Sequence, residues 1–278
     1  MEQILRPRSY EASPGFFHEL THALSELVRY RNLVQNLVVS TLKTRYRGSV
    51  LGFLWTLMNP LMQTLVMWFV FSKFGRIEEK NYALFLLSAI MVWTFLSQSI
   101  LHSLTAIVSR RSLMMRIYIP KLVFPFASVT SNLINLAFFL IAYLVIALFT
   151  PVVGWDPAIV FIVPIILMMY LMATGAALAF SALNVFFRDF THLTDVLLRV
   201  LFYLTPIIYP RDLFGPQIAF FLQFNPVSIP VLMARDVLYY HEVPSLNDWL
   251  VGYGVSGLIF VIGLTIFVKN QDRFIYYA

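Results

Sequence analysis

Two arginines on either side of a tyrosine, Arg45, Tyr46 and Arg47, are the residues of this chain whose types and spacing best suit ligand binding. A guanidinium binds phosphate oxygens through two parallel hydrogen bonds, so two of them beside the turn-forming pair Gly48-Ser49 suit a phosphate or diphosphate group. The same side chains also suit a simpler role, because arginine stems and a tyrosine ring anchor a helix end at a membrane surface. The residues alone leave both interpretations open.

The sequence contains no motif for catalysis. Cysteine is absent and the P-loop pattern G-x-x-x-x-G-K-[ST] does not occur, so we predict no catalytic residue, no metal site and no nucleotide bound by this chain. The 14 acidic residues fall in loops, in the N-terminal arm or near the ends of apolar segments, whereas ion-driven carriers place such residues inside their spans. A transport function would therefore depend on a separate ATPase.

The composition indicates a polytopic membrane protein. Of the 278 residues, 59% are hydrophobic and 12% are charged, and the mean hydropathy is +0.77. Residues 49–72 carry no charge, and at about 1.5 Å per residue such a stretch covers the roughly 30 Å hydrocarbon layer. We predict an all-α fold in one transmembrane domain, with six spans at residues 50–72, 82–108, 122–149, 158–187, 190–209 and 249–268.

An amphipathic helix is predicted before the first span, at residues 13–47. Ser13 followed by Pro14 is typical of a helix N-terminus, and apolar residues recur after it with helical spacing, between charged ones. Such a helix suits the cytoplasmic interface of the membrane. The alternative is a soluble helix that packs on its own subunit.

Residues 211–240 hold two apolar pieces that are too short to cross a bilayer. The pieces, residues 217–224 and 227–240, are separated by Asn225-Pro226. They suit re-entrant half-helices between the fifth and sixth spans, and the alternative is one kinked span. Six spans with both termini cytoplasmic place 15 of the 20 Lys and Arg on the cytoplasmic side, as the positive-inside rule expects, which favours the re-entrant interpretation.

Three parts of the sequence resemble the membrane subunits of polysaccharide-exporting ABC transporters, the type-2 exporter class. In residues 45–61 basic-Tyr-basic is followed by Ser, Leu-Gly, Trp and Pro-Leu, and the other parts are the Arg188-Asp189 turn and the Asn225-Pro226 break. The resemblance implies a homodimer that recruits two copies of an ATP-binding subunit, where ATP and Mg bind. It implies export of a lipid-linked O-antigen, teichoic acid or capsule chain across the cytoplasmic (inner) membrane, among membrane lipids, with no nucleic-acid partner.

A basic loop between the second and third spans has a role that the resemblance implies. Residues 109–121 contain four basic residues and no acidic one, with apolar side chains between them, which predicts a short amphipathic helix. In the family such a helix couples to the ATPase, and a purely topological role for the positive charges is the alternative. The residues expected to couple are Arg110, Arg111, Met114, Met115, Arg116 and Tyr118.

Residues expected to contact the exported polymer lie at both membrane faces. Aromatic rings offer surfaces on which the C–H faces of sugars pack, although the same rings also serve in ordinary packing and in interfacial belts. Asn59-Pro60 is more typical of a helix kink than of a ligand site. The predicted substrate-binding residues are Arg45, Tyr46, Arg47, Trp55, Asn59, Tyr203, Tyr209, Phe220, Phe221, Phe224 and Tyr239.

Two other functions compete with polysaccharide export. A type-2 ABC exporter of small lipids or drugs would share most of these features. A polytopic membrane glycosyl- or acyltransferase is the alternative from another class, and the lack of acidic or His clusters at span ends argues against it.

Overall fold

The computed structural model describes residues 16–45, 47–49, 51–52, 54–74, 79–150, 156–210 and 225–277, with only the backbone at residues 16–19, 73 and 74. All regular structure in these ranges is helical, which confirms the predicted all-α class. The helices are α1 (Phe16–Arg29), α2 (Arg31–Arg45), α3 (Leu54–Phe74), α4 (Tyr82–Leu104), α5 (Arg111–Met114), α6 (Val123–Leu148), α7 (Ile162–Phe186), α8 (Phe190–Leu204), α9 (Ser228–Arg235), α10 (Leu246–Asn270) and α11 (Phe274–Tyr277).

Five segments of the described chain are long and apolar enough to cross a membrane: Leu54–Ser72, Tyr82–Leu104, Val123–Leu148, Pro157–Phe186 and Leu246–Tyr277. The span predicted at residues 190–209 is shorter, because α8 has only 15 residues. Pro206 keeps the preceding Thr205 extended, with φ −93° and ψ 137°, which ends the helix. At about 1.5 Å per residue α8 is shorter than the hydrocarbon layer, so the count of six spans stays a prediction.

Helix α4 lies at the centre of the bundle. In its most apolar stretch 83% of the residues are buried, against 11% in α3. It packs against α3, α6, α7 and α9, and Phe85 and Ile90 are completely enclosed. Helix α3 instead turns large apolar side chains such as Val66 and Phe69 outward. Lipid tails accommodate such a face without cost.

Helices α7 and α10 approach each other closely where two glycines meet. A Cβ atom on Gly263 would lie 1.9 Å from the carbonyl oxygen of Gly175. A Cβ atom on Gly175 would lie 2.4 Å from Cα of Phe260. Glycine allows this backbone contact, which stabilises helix pairs in lipid through close packing.

The predicted N-terminal amphipathic helix is two helices, α1 and α2, with Tyr30 between them. Ala23 of α1 packs in the same apolar cluster as Phe267 of α10. Val34 of α2 packs with Val123 of α6. Helix α1 contacts mainly α10, and α2 contacts mainly α6.

The predicted coupling helix is much shorter than residues 109–121. The one α-helical turn α5 follows a 3-10 turn, Val108–Arg110, and the chain then passes through a turn at residues 115–117 and has no regular structure from Tyr118 to Pro120. Proline has no N–H and holds the residue before it extended, so a helix cannot continue through this position.

Residues 225–240 begin and end at the same end of the bundle. Asn225 donates from Nδ2 to the hydroxyl of Thr205, just beyond α8, at 2.8 Å. The hydroxyl of Tyr240 donates to Glu79, just before α4, at 2.9 Å. The Tyr82 hydroxyl links the start of α4 to the chain beyond α8 by donating to the carbonyl of Ile208. Residues 211–224 lie outside the described chain, so the re-entrant pair stays a prediction.

Candidate functional site

The junction between α2 and α3 consists of tight turns that require glycine. Gly48 and Gly52 have φ angles of +76° and +48°, a region in which a Cβ atom is strained. Nothing lies within 4 Å of a Cβ built at either position, so conformation rather than space selects glycine. Ser49 stabilises the second turn, because its Oγ accepts from Gly52 N at 3.0 Å. These turns bring the end of α2 and the start of α3 to one cavity.

That cavity has a volume of about 370 Å³ and lies between α2, α3, α4 and α6. Its wall combines aromatic rings with amide, hydroxyl, imidazole and guanidinium groups. Polar groups inside a membrane bundle are costly and mark binding sites or transport pathways. The lining residues are Arg45, Ser49, Trp55, Thr56, Asn59, Pro60, Thr94, Phe95, Gln98, His102, Asn132, Asn135, Leu136 and Phe139.

Arg45, the last residue of α2, extends its guanidinium into the bundle. Nη1 donates to Oδ1 of Asn132 at 3.3 Å, and Nη2 donates to Nδ1 of His102 at 3.1 Å. Because a guanidinium only donates, His102 accepts as the neutral tautomer with its proton on Nε2. Nδ1 of His102 and Oδ1 of Asn132 lie 3.2 Å apart, and both accept a hydrogen bond from the guanidinium of Arg45.

Asn132 and Asn135, which lie one turn apart on α6, extend this network. Asn135 donates from Nδ2 to Oδ1 of Asn132 at 3.4 Å, and Asn132 donates from Nδ2 to the carbonyl of Ser128 at 3.1 Å. Oδ1 of Asn135 is buried and has no hydrogen-bond partner among the described residues. A hydroxyl group of a bound molecule would satisfy this acceptor.

Trp55 and Asn59 line the cavity from α3. Both are exposed, with 48% of the Trp55 surface accessible. Pro60 follows directly and cannot donate to the preceding turn, while the Thr64 hydroxyl donates to the Pro60 carbonyl at 2.8 Å. An indole face and an amide suit a sugar, whose C–H faces pack on rings and whose hydroxyls need hydrogen-bond partners.

A second cavity, of about 310 Å³ between α3, α4 and α8, contains Tyr203. The Tyr203 ring is 67% exposed and meets the Phe202 ring edge to face at 5.3 Å. Phe202 in turn meets Trp93 at 5.6 Å. The ion pair between Arg199 and Asp195 lies on the same wall. Tyr203, a predicted substrate-binding residue, therefore belongs to a row of three aromatic rings that is separate from the larger cavity.

Tyr209 and Tyr239 hold loops together and line neither cavity. The Tyr209 hydroxyl donates to the carbonyl of Tyr203 at 3.0 Å. The Tyr239 hydroxyl donates to the Glu79 carboxylate at 2.9 Å. Burial raises the pKa of Tyr239 to about 12, so this phenol stays protonated and remains a donor. The structure does not bring these two tyrosines to Arg45.

The predicted coupling residues divide into an inward and an outward set. Met114 is buried in an apolar cluster, and Arg110 turns inward and donates from Nη2 to the hydroxyl of Thr41 at 3.2 Å. Only the outward set is accessible to a partner chain. It consists of Arg111, Met115, Arg116 and Tyr118.

Several predicted residues lie elsewhere. Arg47 is exposed and does not line the larger cavity, whereas Arg45 does. The predicted binding of a phosphate by Arg47 stays a prediction. Four predicted substrate-binding residues lie outside the described chain: Tyr46, Phe220, Phe221 and Phe224.

The sequence analysis missed the amides of α6 and the imidazole of α4 as site residues. Asn132 and Asn135 stand three positions apart in an apolar span, and His102 stands in the last turn of α4. Polar residues at helical spacing inside a span share one face, and this is the signal that identifies them.

A zinc-like spacing in α1 was also overlooked. His18, Glu19 and His22 form the pattern H-E-x-x-H, which binds zinc where a third ligand completes the site. Within the described chain, no group of three or more His, Cys, Asp or Glu is placed to hold a metal ion. The side chains of His18 and Glu19 lie outside the described part of the chain.

Comparison with known proteins agrees with the geometry of a transport subunit. A family model described as ABC-2 type transporter matches residues 32–239. The chain is similar to an O-antigen export system permease protein RfbA of Klebsiella pneumoniae, with 30% identity over 236 residues, 84% of this chain and 90% of the relative. It is also similar to the protein of that name from Myxococcus xanthus, with 31% identity over 252 residues, 90% of this chain and 96% of the relative.

Proposed function

Because this chain belongs to the ABC-2 type transporter family, we propose that it is the membrane subunit of an exporter that moves a lipid-linked polysaccharide across the cytoplasmic membrane. Relatives that match most of its length are named O-antigen export system permeases. The several apolar helices support a multi-pass protein of the inner membrane. The exported polymer is of the O-antigen, teichoic acid or capsule type.

The polar cavity between α2, α3, α4 and α6 is the observation that carries this proposal. Arg45, Asn135 and Trp55 line this cavity from three different helices. A cation suits the phosphate of a lipid-linked glycan, an unpaired amide oxygen suits a sugar hydroxyl, and an indole suits a sugar face. A small apolar lipid or drug would need none of these polar groups.

Energy comes from a separate ATPase chain, which binds ATP and Mg. The outward set of the basic loop is the docking surface on this subunit, and Arg111 and Arg116 provide its positive charges. Two copies of this chain and two ATPase subunits form the complex. The end of the bundle that carries this loop faces the cytoplasm, together with both termini, as the distribution of Lys and Arg favours.

The rings near Tyr203 extend the path of the polymer. Trp93, Phe202 and Tyr203 form a row in the second cavity, beside α3 and α8. Ring surfaces let a sugar chain slide, because they impose no fixed hydrogen-bond pattern. The exposed faces of α3 and α8 are where a second copy would enclose the conduit.

The proposal is tested by transport in inverted membrane vesicles that contain this chain and its ATPase. A radiolabelled lipid-linked glycan should become protected inside the vesicles only when ATP is present. Vesicles with the Asn135→Leu variant, which fills the cavity with an apolar side chain, should transport poorly at normal protein level. Equal ATP-dependent transport of the lipid without its glycan would indicate a small-lipid exporter instead. Transfer of labelled sugar or acyl groups without ATP would indicate a membrane transferase.

A further inference from the structure

Arg110 turns away from the surface that a partner chain would touch. Its Nη2 atom donates to the hydroxyl of Thr41 on α2 at 3.2 Å, and its guanidinium lies 5.6 Å from the centre of the Phe124 ring on α6. The adjacent Arg111 is exposed. Burial lowers the pKa of Arg110 from its usual value. A guanidinium in a protein nevertheless keeps its charge at neutral pH.

A cavity of about 160 Å³ surrounds this inward-facing guanidinium. Arg45 and Arg110 both line it, and four hydroxyl groups complete its polar wall. None of the described residues that line it is Asp or Glu. The lining residues are Thr41, Arg45, His102, Thr105, Ala106, Ser109, Arg110, Phe124 and Ser128.

Two guanidinium groups that share a cavity repel each other unless an anion lies between them. In the described part of the chain neither arginine forms an ion pair, and the one ion pair found there joins Arg199 and Asp195. Each guanidinium also has more N–H donors than its observed contacts use. Cations withdrawn from water in this way are stable when paired. The charge and the hydroxyl groups of this lining therefore suit an anion.

We propose that this cavity binds a phosphate or diphosphate ester of a lipid, held by Arg45 and Arg110 together and by the hydroxyls of Thr41 and Ser128. A guanidinium can donate two parallel hydrogen bonds to two oxygens of a phosphate, and hydroxyl groups can donate to the other phosphate oxygens. At about 30 Å³ per water in the liquid, the volume admits a phosphate group with a few waters.

The position of the site relates it to the larger cavity. Arg45 and His102 line both cavities, so a phosphate beside Arg110 lies next to the space that contains Trp55 and Asn135. This assignment deepens the proposed function and rests on it for the natural ligand: the lipid phosphate occupies the smaller cavity while the first sugars enter the larger one. Arg110 is then a substrate-binding residue rather than a docking residue.

The test uses the full chain, without an ATPase, in nanodiscs of phosphatidylcholine. A polyprenyl diphosphate is titrated into the nanodiscs, and binding is followed by the rise in Tm. Wild-type protein should be stabilised, and the Kd should rise about tenfold to a hundredfold in Arg110→Gln, as expected for the loss of a charge-assisted hydrogen bond. Arg111→Gln, which changes the adjacent exposed arginine, should bind like the wild type.

Two further probes distinguish the sources of the phosphate. Phosphatidylglycerol that stabilises the protein through Arg110 would support the site, with a bilayer lipid as its occupant. If inorganic diphosphate stabilises the protein through Arg110 and neither lipid does, the result would support an anion site for the free ion. The Thr41→Val variant keeps both cations and should weaken binding several-fold, which tests the site even if Arg110→Gln folds poorly.

The proposal is overturned if Arg110→Gln and Thr41→Val, both monodisperse, bind all three probes as the wild type does. Because no transport is measured, that result would leave the exporter function standing. Conversely, Arg110-dependent binding in a protein that exports no polymer would refute the exporter function and keep the anion site.

Discussion

Replacing Arg45 with lysine should impair recognition of the lipid-linked substrate, while the same change at Arg47 should not. Both substitutions keep a positive charge, so a residue that only anchors a helix end at the membrane surface tolerates them. The structure separates the two positions. Arg45 reaches Asn132 and His102 inside the bundle, whereas Arg47 is exposed in the turn.

The size of the effect follows from the two contacts of Arg45. They leave from different terminal nitrogens, Nη1 to Asn132 at 3.3 Å and Nη2 to His102 at 3.1 Å. The single Nζ of lysine meets at most one of these partners and has no planar fork for a phosphate. A hydrogen bond from a cation to a phosphate contributes about 1.5–3 kcal/mol, and because lysine keeps the charge and loses only the fork, the lower end applies. We therefore expect about a tenfold loss of affinity.

The assay is ATP hydrolysis by the complex in nanodiscs, measured against the concentration of lipid-linked glycan. In Arg45→Lys the half-saturating concentration should rise about tenfold, while hydrolysis without substrate keeps its rate. In Arg47→Lys the curve should match the wild type. Matching curves for both variants would refute the reasoning and reduce Arg45 to a structural or topological residue. An equal loss in both would mean that surface charge, rather than the cavity, recognises the substrate.

Three other substitutions test separate parts of the structure. Gly263→Ala drives a Cβ into the backbone of α7 and should cost about 1–3 kcal/mol, seen as a lower Tm, whereas Gly257→Ala, with nothing within 4 Å, should have little effect. Glutamate at both Arg111 and Arg116 should abolish co-purification of the ATPase, and a normal yield of complex would exclude docking through this loop. Arg235→Met should lower the Tm, because the backbone carbonyls that accept from this guanidinium lose a donor, at about 1–3 kcal/mol each; an unchanged Tm would contradict its structural role.

The helical class and the long spans were predictable because they depend on local properties. A stretch of about 20 uncharged apolar residues is identified without knowledge of its neighbours. The places where helices end were harder to predict. At Tyr30 the chain passes from α1, which contacts mainly α10, to α2, which contacts mainly α6, and the end of α8 depends on the strain that Pro206 puts on Thr205.

The site was predictable only in part, because its groups come from distant positions in the sequence. Arg45 was identified from its residue type, but its contacts with Asn132 and His102 join three helices and follow from the packing of α2 on α6. The inward turn of Arg110 follows from the position of Thr41, which the loop sequence does not reveal. A pattern of basic residues gives the charge of a loop and leaves the direction of each side chain open.

Arg45, Arg110 and Arg235 all face inward, but they differ in how completely the protein buries them, and this difference separates a structural role from a binding role. Arg235 is only 1% exposed, donates to the carbonyl of Ile207 at 2.8 Å and lies 3.7 Å from the centre of the Phe85 ring. The surrounding protein encloses it, and its hydrogen bonds hold the chain after α8 against α4. Arg45 and Arg110 are only partly buried and face cavities. Since a bundle with carbonyls and rings in reach can enclose a guanidinium fully, as it does at Arg235, the open space beside the other two supports the proposed anion site.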